Sequence, residues 1–222
     1  ICNGMAMLHS RNILHLDLKP ENILISKDDV PWISDFGLSK IKTMSAGSTK
    51  GERGTIQYKA PELFKSKRMG GAKYSKAADV YSFAILSWEL FSGKIAFAGV
   101  PENEILAMHM EALMDEDSEP ERLPIADIIN LEDNEKLFIT GCWSQKPEER
   151  PTFENLSKSL RGTISMMQQQ DKDGGKDGNN NNNDDDDNNN NKWHACPASY
   201  TSYLHFMCRG LVVISHLGRV EK

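Results

Sequence analysis

The sequence lacks a long apolar run and lacks any strong excess of basic residues. A membrane-spanning helix needs roughly 18 or more uninterrupted apolar residues. The best candidate, 204–218, is too short and contains Arg209 and two histidines. The formal net charge is −6, whereas binding to nucleic acid depends on clustered lysines and arginines. We therefore expect no membrane span and no nucleic-acid partner.

Cysteine is also scarce, and no secretory signal pattern opens the chain. The four cysteines are scattered and form no CxxC pair: Cys2, Cys142, Cys196 and Cys208. This usage fits reduced thiols in an intracellular protein better than a disulfide framework or a zinc site. We expect a cytoplasmic location. Because the chain begins at Ile1, inside an apolar helix-like stretch, we also expect the sequence to be a fragment.

The polar composition is concentrated in one segment. Residues 168–192 consist of Gln, Asn, Asp, Lys and Gly, with no apolar side chain to offset the entropy of ordering the chain. We interpret 1–165 as a folded domain, 166–192 as a disordered low-complexity linker and 193–222 as a tail of unknown role. No oligomeric state is predicted.

Within the first part, the patterns predict an α+β fold that is mainly helical. Short apolar runs at 22–25 and 30–34 flank a turn-like KDD and predict a β-hairpin. The segment 79–92 is apolar on nearly every side, which indicates a buried helix with Asp79 as its N-cap. Further helices are expected at 3–10, from Pro101, over 131–143 and from Thr152, and a long loop over 38–59.

Chemistry-bearing side chains concentrate around the hairpin. Asn22 begins its first strand and Asp35 ends its second, so antiparallel pairing should place them on adjacent strands about 4.8 Å apart. Amide and carboxylate oxygens are ligands that Mg²⁺ accepts beside phosphate oxygens. Asp17 could take a proton from an incoming hydroxyl, and Lys19 could neutralise a phosphoryl group.

Three motifs in order resemble those of protein kinases. HLDLKPEN at 15–22 is similar to the catalytic loop, DFG at 35–37 to the metal-binding motif, and APE at 60–62 to the end of the activation segment. Lys19, two places after Asp17, resembles the serine/threonine-specific form. GTIQYKAPE, DVYSFAILSWEL and CWSQKPEERPTF resemble the tyrosine-kinase-like branch. The resemblance covers 1–165 and implies a C-terminal lobe with the N-terminal lobe absent.

The resemblance implies a role for each matching residue, with ATP, Mg²⁺ and a protein substrate as ligands. The implied site consists of Asp17 as catalytic base, Lys19 as the cation on the phosphate, Asn22 and Asp35 as metal ligands, Leu24 beneath the adenine, and Thr55 supporting Asp17 and Lys19 near the substrate hydroxyl. The implied supports are an ion pair between Glu62 and Arg150, Asp79 bracing the catalytic-loop backbone, and His15 behind the DFG segment.

Two departures from the kinase pattern change the expected behaviour. Leu16 stands where most kinases have Arg, so we expect no pairing with a phosphate on the activation loop. The sequence also has no glycine-rich loop over the ATP phosphates and no strand lysine paired to a helix glutamate, so we expect little or no kinase activity from this chain alone. The alternative function is a non-catalytic interaction module, pseudokinase-like or a truncated product.

Overall fold

The computed structural model describes residues 1–41, 55–65, 70–114, 123–128, 131 and 133–162. The predicted linker and tail, and most of the predicted loop at 38–59, lie outside these residues. The described part is rich in helix and contains short antiparallel strand pairs, as expected. Among the described helices, none combines the length and apolar character needed to cross a membrane.

The helices follow the predicted order. They are α1 (Cys2–Ser10), α2 (Lys76–Ser92), α3 (Glu102–Met114), α4 (Asp133–Cys142) and α5 (residues 153–162). Pro101 lies just before α3, not in its first turn, and its carbonyl oxygen accepts the N–H groups of Glu104 and Ile105. In α5 the apolar spacing buries Phe153 and Leu156 against the core.

Helix α2 is the centre of the core, and its predicted burial on all sides is confirmed. Every residue from Ala78 to Phe91 is buried. The predicted N-cap was wrong, because α2 begins at Lys76 with Ser75 at the cap position. The two alanines at 77 and 78 are strong helix formers and extend the helix before Asp79. Gly93 ends α2 in the left-handed conformation, φ 66°, and its N–H donates to the Glu89 carbonyl.

The predicted hairpin is present. Strand β2 (Ile23–Ile25) pairs antiparallel with β3 (Pro31–Ile33), and Leu24 lies opposite Trp32. A second pair, β1 (Ile13–Leu14) with β4 (Lys40–Ile41), was not predicted. Strands of two residues show no alternation of apolar and polar positions, so the sequence carries no periodic signal for them.

Two cysteines lie in this core, and both are free thiols. Burial raises the pKa of Cys2 to about 11 and that of Cys142 to about 12. A thiol with so high a pKa is almost entirely protonated near neutral pH and is a poor nucleophile. These two cysteines therefore act as small core residues, in agreement with the expected reduced state.

Candidate active site

The loop after α1 is held in a strained shape by a buried carboxylate. Leu16 has φ 66°, a left-handed conformation that costs a non-glycine residue about 1–3 kcal/mol. Asp79, which is fully buried, accepts the N–H groups of His15 at 2.9 Å and Leu16 at 2.7 Å. The Nε2 atom of His9 donates to the same carboxylate at 2.8 Å. The predicted brace from α2 to this loop is thus confirmed.

His15 connects the loop to the DFG segment. Its Nε2 atom lies 3.0 Å from the Ser34 carbonyl oxygen, and its Nδ1 atom lies 3.3 Å from the backbone N of Asp17. Since a carbonyl only accepts and an N–H only donates, the proton of the ring is on Nε2 and Nδ1 is the acceptor. The ring also meets Phe36 edge to face at 5.4 Å. The predicted support of the DFG segment is confirmed.

The structure brings four of the predicted site residues into one hydrogen-bonded group. The Nδ2 atom of Asn22 donates to the Asp17 carbonyl at 2.7 Å and to Oδ2 of Asp17 at 3.0 Å. The Nζ atom of Lys19 lies 3.2 Å from the same Oδ2 and donates to Oγ1 of Thr55 at 2.7 Å. Thr55 in turn donates to Oδ1 of Asp17 from its backbone N at 3.3 Å and from Oγ1 at 3.4 Å.

The contacts of this group hold the Asp17 side chain in place and leave part of it accessible to solvent. Its side chain is 10% exposed, and a carboxylate offers about four acceptor positions. The two contacts to Oδ1 are long, so a hydroxyl could displace them at lower cost than it could displace the shorter ones on Oδ2. An ionised carboxylate in this position can accept a proton from a hydroxyl that approaches beside Thr55.

Asp35 is placed at the predicted end of the hairpin but outside this group. The Ser34 N–H donates to the Asn22 carbonyl at 2.8 Å, so the two strand ends adjoin. Asp35 has φ 57° and is exposed, and its Oδ1 atom accepts the Gly37 N–H at 3.0 Å. Within the described residues it makes no hydrogen bond to Asp17, Lys19 or Asn22. Its carboxylate therefore caps the turn at 36–38.

The donor set at this end of the hairpin fits Mg²⁺. The amide nitrogen of Asn22 is engaged by Asp17, which leaves its oxygen as one possible ligand, and the Asp35 carboxylate at the end of the adjoining strand is the second. Within the described residues, no group of three or more His, Cys, Asp and Glu side chains could hold a metal ion. Two hard oxygen ligands are what Mg²⁺ uses when phosphate oxygens and water complete its shell.

Leu24, expected beneath the adenine, lies on an exposed apolar surface. Its side chain is 56% exposed, and Trp32, its partner across the hairpin, is 63% exposed. Cross-strand partners share one face of a sheet. The hairpin therefore presents two large apolar side chains on the same face.

A buried ion pair fixes the segment that contains Thr55. Arg150 donates from both terminal nitrogens to Glu62, at 2.8 and 2.9 Å, and both side chains are almost fully buried. Arg150 also donates to the carbonyls of Ala77 and Ser144. The predicted ion pair is confirmed, and it joins residues 55–65 to the start of α2.

Sequence reasoning missed a second buried polar group on α2. The Tyr58 hydroxyl donates to Oε2 of Glu89 at 2.8 Å, and the Ala96 N–H donates to Oε1 at 2.7 Å. Burial raises the pKa of Glu89, although both hydrogen bonds oppose that rise. Burial and the neighbouring Glu89 carboxylate raise the pKa of Tyr58 well above its usual range. The available signal was a glutamate inside an otherwise apolar helix, where a buried carboxylate needs partners.

Comparison with known proteins identifies the family. A sequence model of the protein kinase domain matches residues 1–160. Mitogen-activated protein kinase kinase kinase 12 of Rattus norvegicus is 35% identical over 158 residues, which are 70% of this chain and 16% of that protein.

Two further relatives agree. Serine/threonine/tyrosine-protein kinase HT1 of Arabidopsis thaliana is 33% identical over 156 residues, which are 70% of this chain and 36% of that protein. Receptor-interacting serine/threonine-protein kinase 1 of Homo sapiens is 32% identical over 175 residues, 72% of this chain and 25% of that protein. This chain thus spans only about a sixth to a third of these relatives. The predicted resemblance to serine/threonine kinases of tyrosine-kinase-like type is confirmed, and the chain belongs to the protein kinase family.

Proposed function

We propose that this chain carries the phosphate-transfer part of a protein serine/threonine kinase site, with Asp17 as the proton acceptor. The observation that carries the proposal is the group around Asp17, in which Lys19, Asn22 and Thr55 all contact its carboxylate. A carboxylate, a cation and a fixed amide beside one open position are what transfer of a phosphoryl group to a hydroxyl requires.

In the proposed reaction, a serine or threonine hydroxyl of a protein substrate approaches Oδ1 of Asp17 in the place of the long contacts from Thr55. Its proton passes to Asp17 as the oxygen attacks the γ-phosphorus of ATP, and the bond from that phosphorus to the β–γ bridging oxygen breaks, so that ADP leaves. Lys19 remains paired with Asp17 and offers its positive charge to the transferred group. Mg²⁺ held by Asn22 and Asp35 would neutralise phosphate charge when bound. Because Oδ1 of Asp35 accepts the Gly37 N–H, we assign Oδ2 as the oxygen that would bind the metal.

Two further parts of the proposal, the type of acceptor residue and the nucleotide contact, rest on the sequence and on the solvent exposure of two hairpin side chains. Lys19 in DLKPEN and the names of the relatives support serine and threonine as acceptors. Exposed Leu24 and Trp32 support a nucleotide contact on a hairpin face that another part of a kinase would cover. We therefore propose that 1–165 acts as the C-terminal lobe of the catalytic domain and that the 222-residue chain alone transfers phosphate poorly.

The second candidate is a non-catalytic binding module. It is favoured by the same exposed apolar pair, Leu24 and Trp32, and by the hydrogen bond that the Asp35 carboxylate accepts from the Gly37 N–H. In that case the group around Asp17 would stabilise the loop and would have no role in proton transfer.

The test is phosphate transfer from radiolabelled Mg-ATP to a serine/threonine peptide library by the complete gene product. Asp17→Asn should lower the rate by about 10²- to 10⁴-fold, the usual contribution of a general base. Asp28→Asn is the matched control, since Asp28 is exposed in the hairpin turn, and it should leave the rate unchanged. Equal, measurable rates for the wild type and Asp17→Asn would show that Asp17 is not the base, whereas no transfer above background by the wild type would favour the binding module.

A further inference from the structure

Ser34, the residue between strand β3 and Asp35, contacts Asn22 through both its backbone and its side chain. The register that pairs Ile23 with Ile33 puts Asn22 opposite Ser34. Alternate opposite residues of an antiparallel pair exchange two N–H···O bonds, and the Ser34 N–H makes one of them with the Asn22 carbonyl at 2.8 Å. The Ser34 hydroxyl donates to the same carbonyl at 3.1 Å. One residue therefore holds the Asn22 carbonyl twice.

The groups that would form the second strand bond are used by the loop at 15–22. The Asn22 N–H donates to the Lys19 carbonyl at 3.1 Å. The Ser34 carbonyl accepts the proton on Nε2 of His15 at 3.0 Å. The pairing at this end of the hairpin thus keeps one backbone bond, and the Ser34 hydroxyl supplies a second contact in place of the bond that the pairing has lost.

Ser34 also closes a ring of hydrogen bonds with the proposed site. The Asp17 N–H donates to Nδ1 of His15, and Nε2 of His15 donates to Ser34. Ser34 donates to the Asn22 carbonyl, and the Asn22 amide donates back to Asp17 at 2.7 and 3.0 Å. In such a network each contact supports the others. Loss of the Ser34 hydroxyl would therefore loosen the backbone of Asn22.

Beyond Ser34 the chain leaves the strand. Asp35 has φ 57° and is exposed, and its Oδ1 atom accepts the Gly37 N–H. The position of Asp35 relative to Asn22 is therefore set through Ser34, which is bonded twice to Asn22 and precedes Asp35 in the chain.

We propose that Ser34 is a positioning residue whose hydroxyl fixes the spacing of the two proposed metal ligands, Asn22 and Asp35. The proposal rests on the proposed kinase function, since it assumes that these two side chains bind Mg²⁺ beside the phosphates of ATP. Groups that orient metal ligands typically contribute about 10- to 100-fold to metal affinity. Because the backbone bond from Ser34 remains when the hydroxyl is removed, we expect a smaller effect, about threefold to tenfold.

Binding of Mn²⁺ tests the proposal independently of phosphate transfer. Mn²⁺ accepts the same oxygen ligands as Mg²⁺, and electron paramagnetic resonance separates ion held by the protein from ion bound to free nucleotide. The sample is the complete gene product with AMP-PNP, a non-hydrolysable analogue of ATP. Ser34→Ala should raise the Kd of Mn²⁺ about threefold to tenfold. The free Mg²⁺ concentration that gives half the maximal rate of transfer should rise in the same way.

A matched pair of substitutions separates the hydroxyl from the fold. Ser34→Thr keeps the hydroxyl and should bind Mn²⁺ as the wild type does. Ser34→Val has nearly the shape of threonine without the hydroxyl and favours strands, so it should match Ser34→Ala and decides the question if the alanine variant does not fold. Ser26→Ala is the control, because its hydroxyl accepts the N–H groups of Asp28 and Val30 at the other end of the same hairpin. It should leave Mn²⁺ binding unchanged.

The proposal is overturned if Ser34→Val binds Mn²⁺ as tightly as the wild type. It is also overturned if Ser34→Thr or Ser26→Ala loses as much affinity as Ser34→Val, since the hydroxyl at this position would then have no special role.

One more variant keeps this proposal distinct from the kinase function itself. Asp35→Ala removes a proposed ligand and should abolish the signal of Mn²⁺ held by the protein. If Asp35→Ala binds Mn²⁺ normally, or if the wild type binds none, the ligands are wrong and the role of Ser34 falls with them, even where transfer depends on Asp17. If Asp35→Ala loses Mn²⁺ while Ser34→Val keeps it, the metal site stands and only the role of Ser34 is wrong.

Discussion

The loop at 15–22 and helix α2 differ in almost every physical respect. Helix α2 is regular, apolar and buried from Ala78 to Phe91. The loop is irregular, has a left-handed residue at Leu16 and carries the polar group around Asp17. The loop could not hold this shape on its own, because each of its strained or polar features costs free energy. The polar side chains of the proposed site therefore lie on irregular backbone that depends on a regular, buried helix for its shape.

Two aspartates show this division of roles most clearly. Asp79 is fully buried, and each of its three hydrogen-bond distances lies between 2.7 and 2.9 Å. Asp17 is partly exposed, and its contacts with Thr55 are 3.3 and 3.4 Å long. Tight, saturated hydrogen bonding suits a structural anchor, whereas a base needs an acceptor position that a substrate can take. Substitutions that separate activity from stability can test this contrast.

After Asp17→Asn itself, the largest effect on activity without loss of the fold should come from Asn22→Ala. This change removes both donors that orient Asp17 together with the proposed metal-binding oxygen. A shift of about 1 Å in a reacting group costs about 10²-fold in rate, so phosphate transfer by the complete gene product should fall by at least that factor. Circular dichroism should show a folded protein.

Asn155→Ala is the control for Asn22→Ala, since Asn155 is exposed on α5. It should change neither the rate of transfer nor the spectrum. A rate within threefold of the wild type for Asn22→Ala would mean that the group around Asp17 does not orient the base.

The largest effect on stability should come from Arg150→Met. The substitution leaves Glu62 buried without its partner, and breaking a buried pair in this way costs about 3–5 kcal/mol. Urea denaturation should report the loss in the free energy of unfolding. The double variant Glu62→Leu with Arg150→Met removes both charges and should recover most of it. A double variant as unstable as the single one would show that the other contacts of Arg150, with the Ala77 and Ser144 carbonyls and the Tyr81 ring, matter more than the ion pair.

Much of the fold was readable from the sequence because its signals are local and strong. The all-round apolar pattern identified α2, and the turn between two apolar runs identified the hairpin. The grouping of Asp17, Lys19 and Asn22 followed from their closeness in the chain. Thr55, 38 residues from Asp17, was assigned by family resemblance alone, since no local rule brings such residues together.

The wrong N-cap assignment has a physical cause, which is competition among possible hydrogen-bond partners for one polar group. Asp79 was interpreted as an N-cap, but the loop N–H groups of His15 and Leu16 use its carboxylate instead. The expected role of Asp35 as a metal ligand stays a prediction, and in the structure its Oδ1 atom accepts the N–H of Gly37 in its own turn. A sequence shows which polar groups need hydrogen-bond partners. It does not show whether such a group will bond to a partner near in the chain or to a distant one.

A smaller effect on stability should come from Asp79→Asn. The amide can keep one acceptor oxygen for Leu16, but its Nδ2 group would then face the His15 N–H, where two donors meet. Hydrogen bonds to a charged group contribute about 1.5–3 kcal/mol, so the free energy of unfolding should fall by that amount in urea denaturation. The rate of phosphate transfer should fall as well, because the His15 N–H would lose its acceptor and the loop that carries Asp17 would shift.

Asp127→Asn is the control for Asp79→Asn, as its carboxylate pairs with Lys94 in a partly exposed position. It should have little effect on either measurement. If Asp79→Asn loses stability but keeps the full rate, the support from α2 to the loop serves folding alone.

The smallest effect should come from Glu89→Gln, and it should depend on pH. Since burial raises the pKa of Glu89 in the folded state, the folded protein holds its proton more tightly than the unfolded chain. Its contribution to stability is full below the unfolded pKa near 4.5 and is lost as pH rises through the folded pKa. Glutamine cannot ionise but can still bond Tyr58 and Ala96, so stability of the variant relative to wild type should increase as pH rises above 4.5. Urea denaturation at several pH values measures this difference, and a constant difference would mean that Glu89 ionises as easily in the folded protein as in the unfolded one.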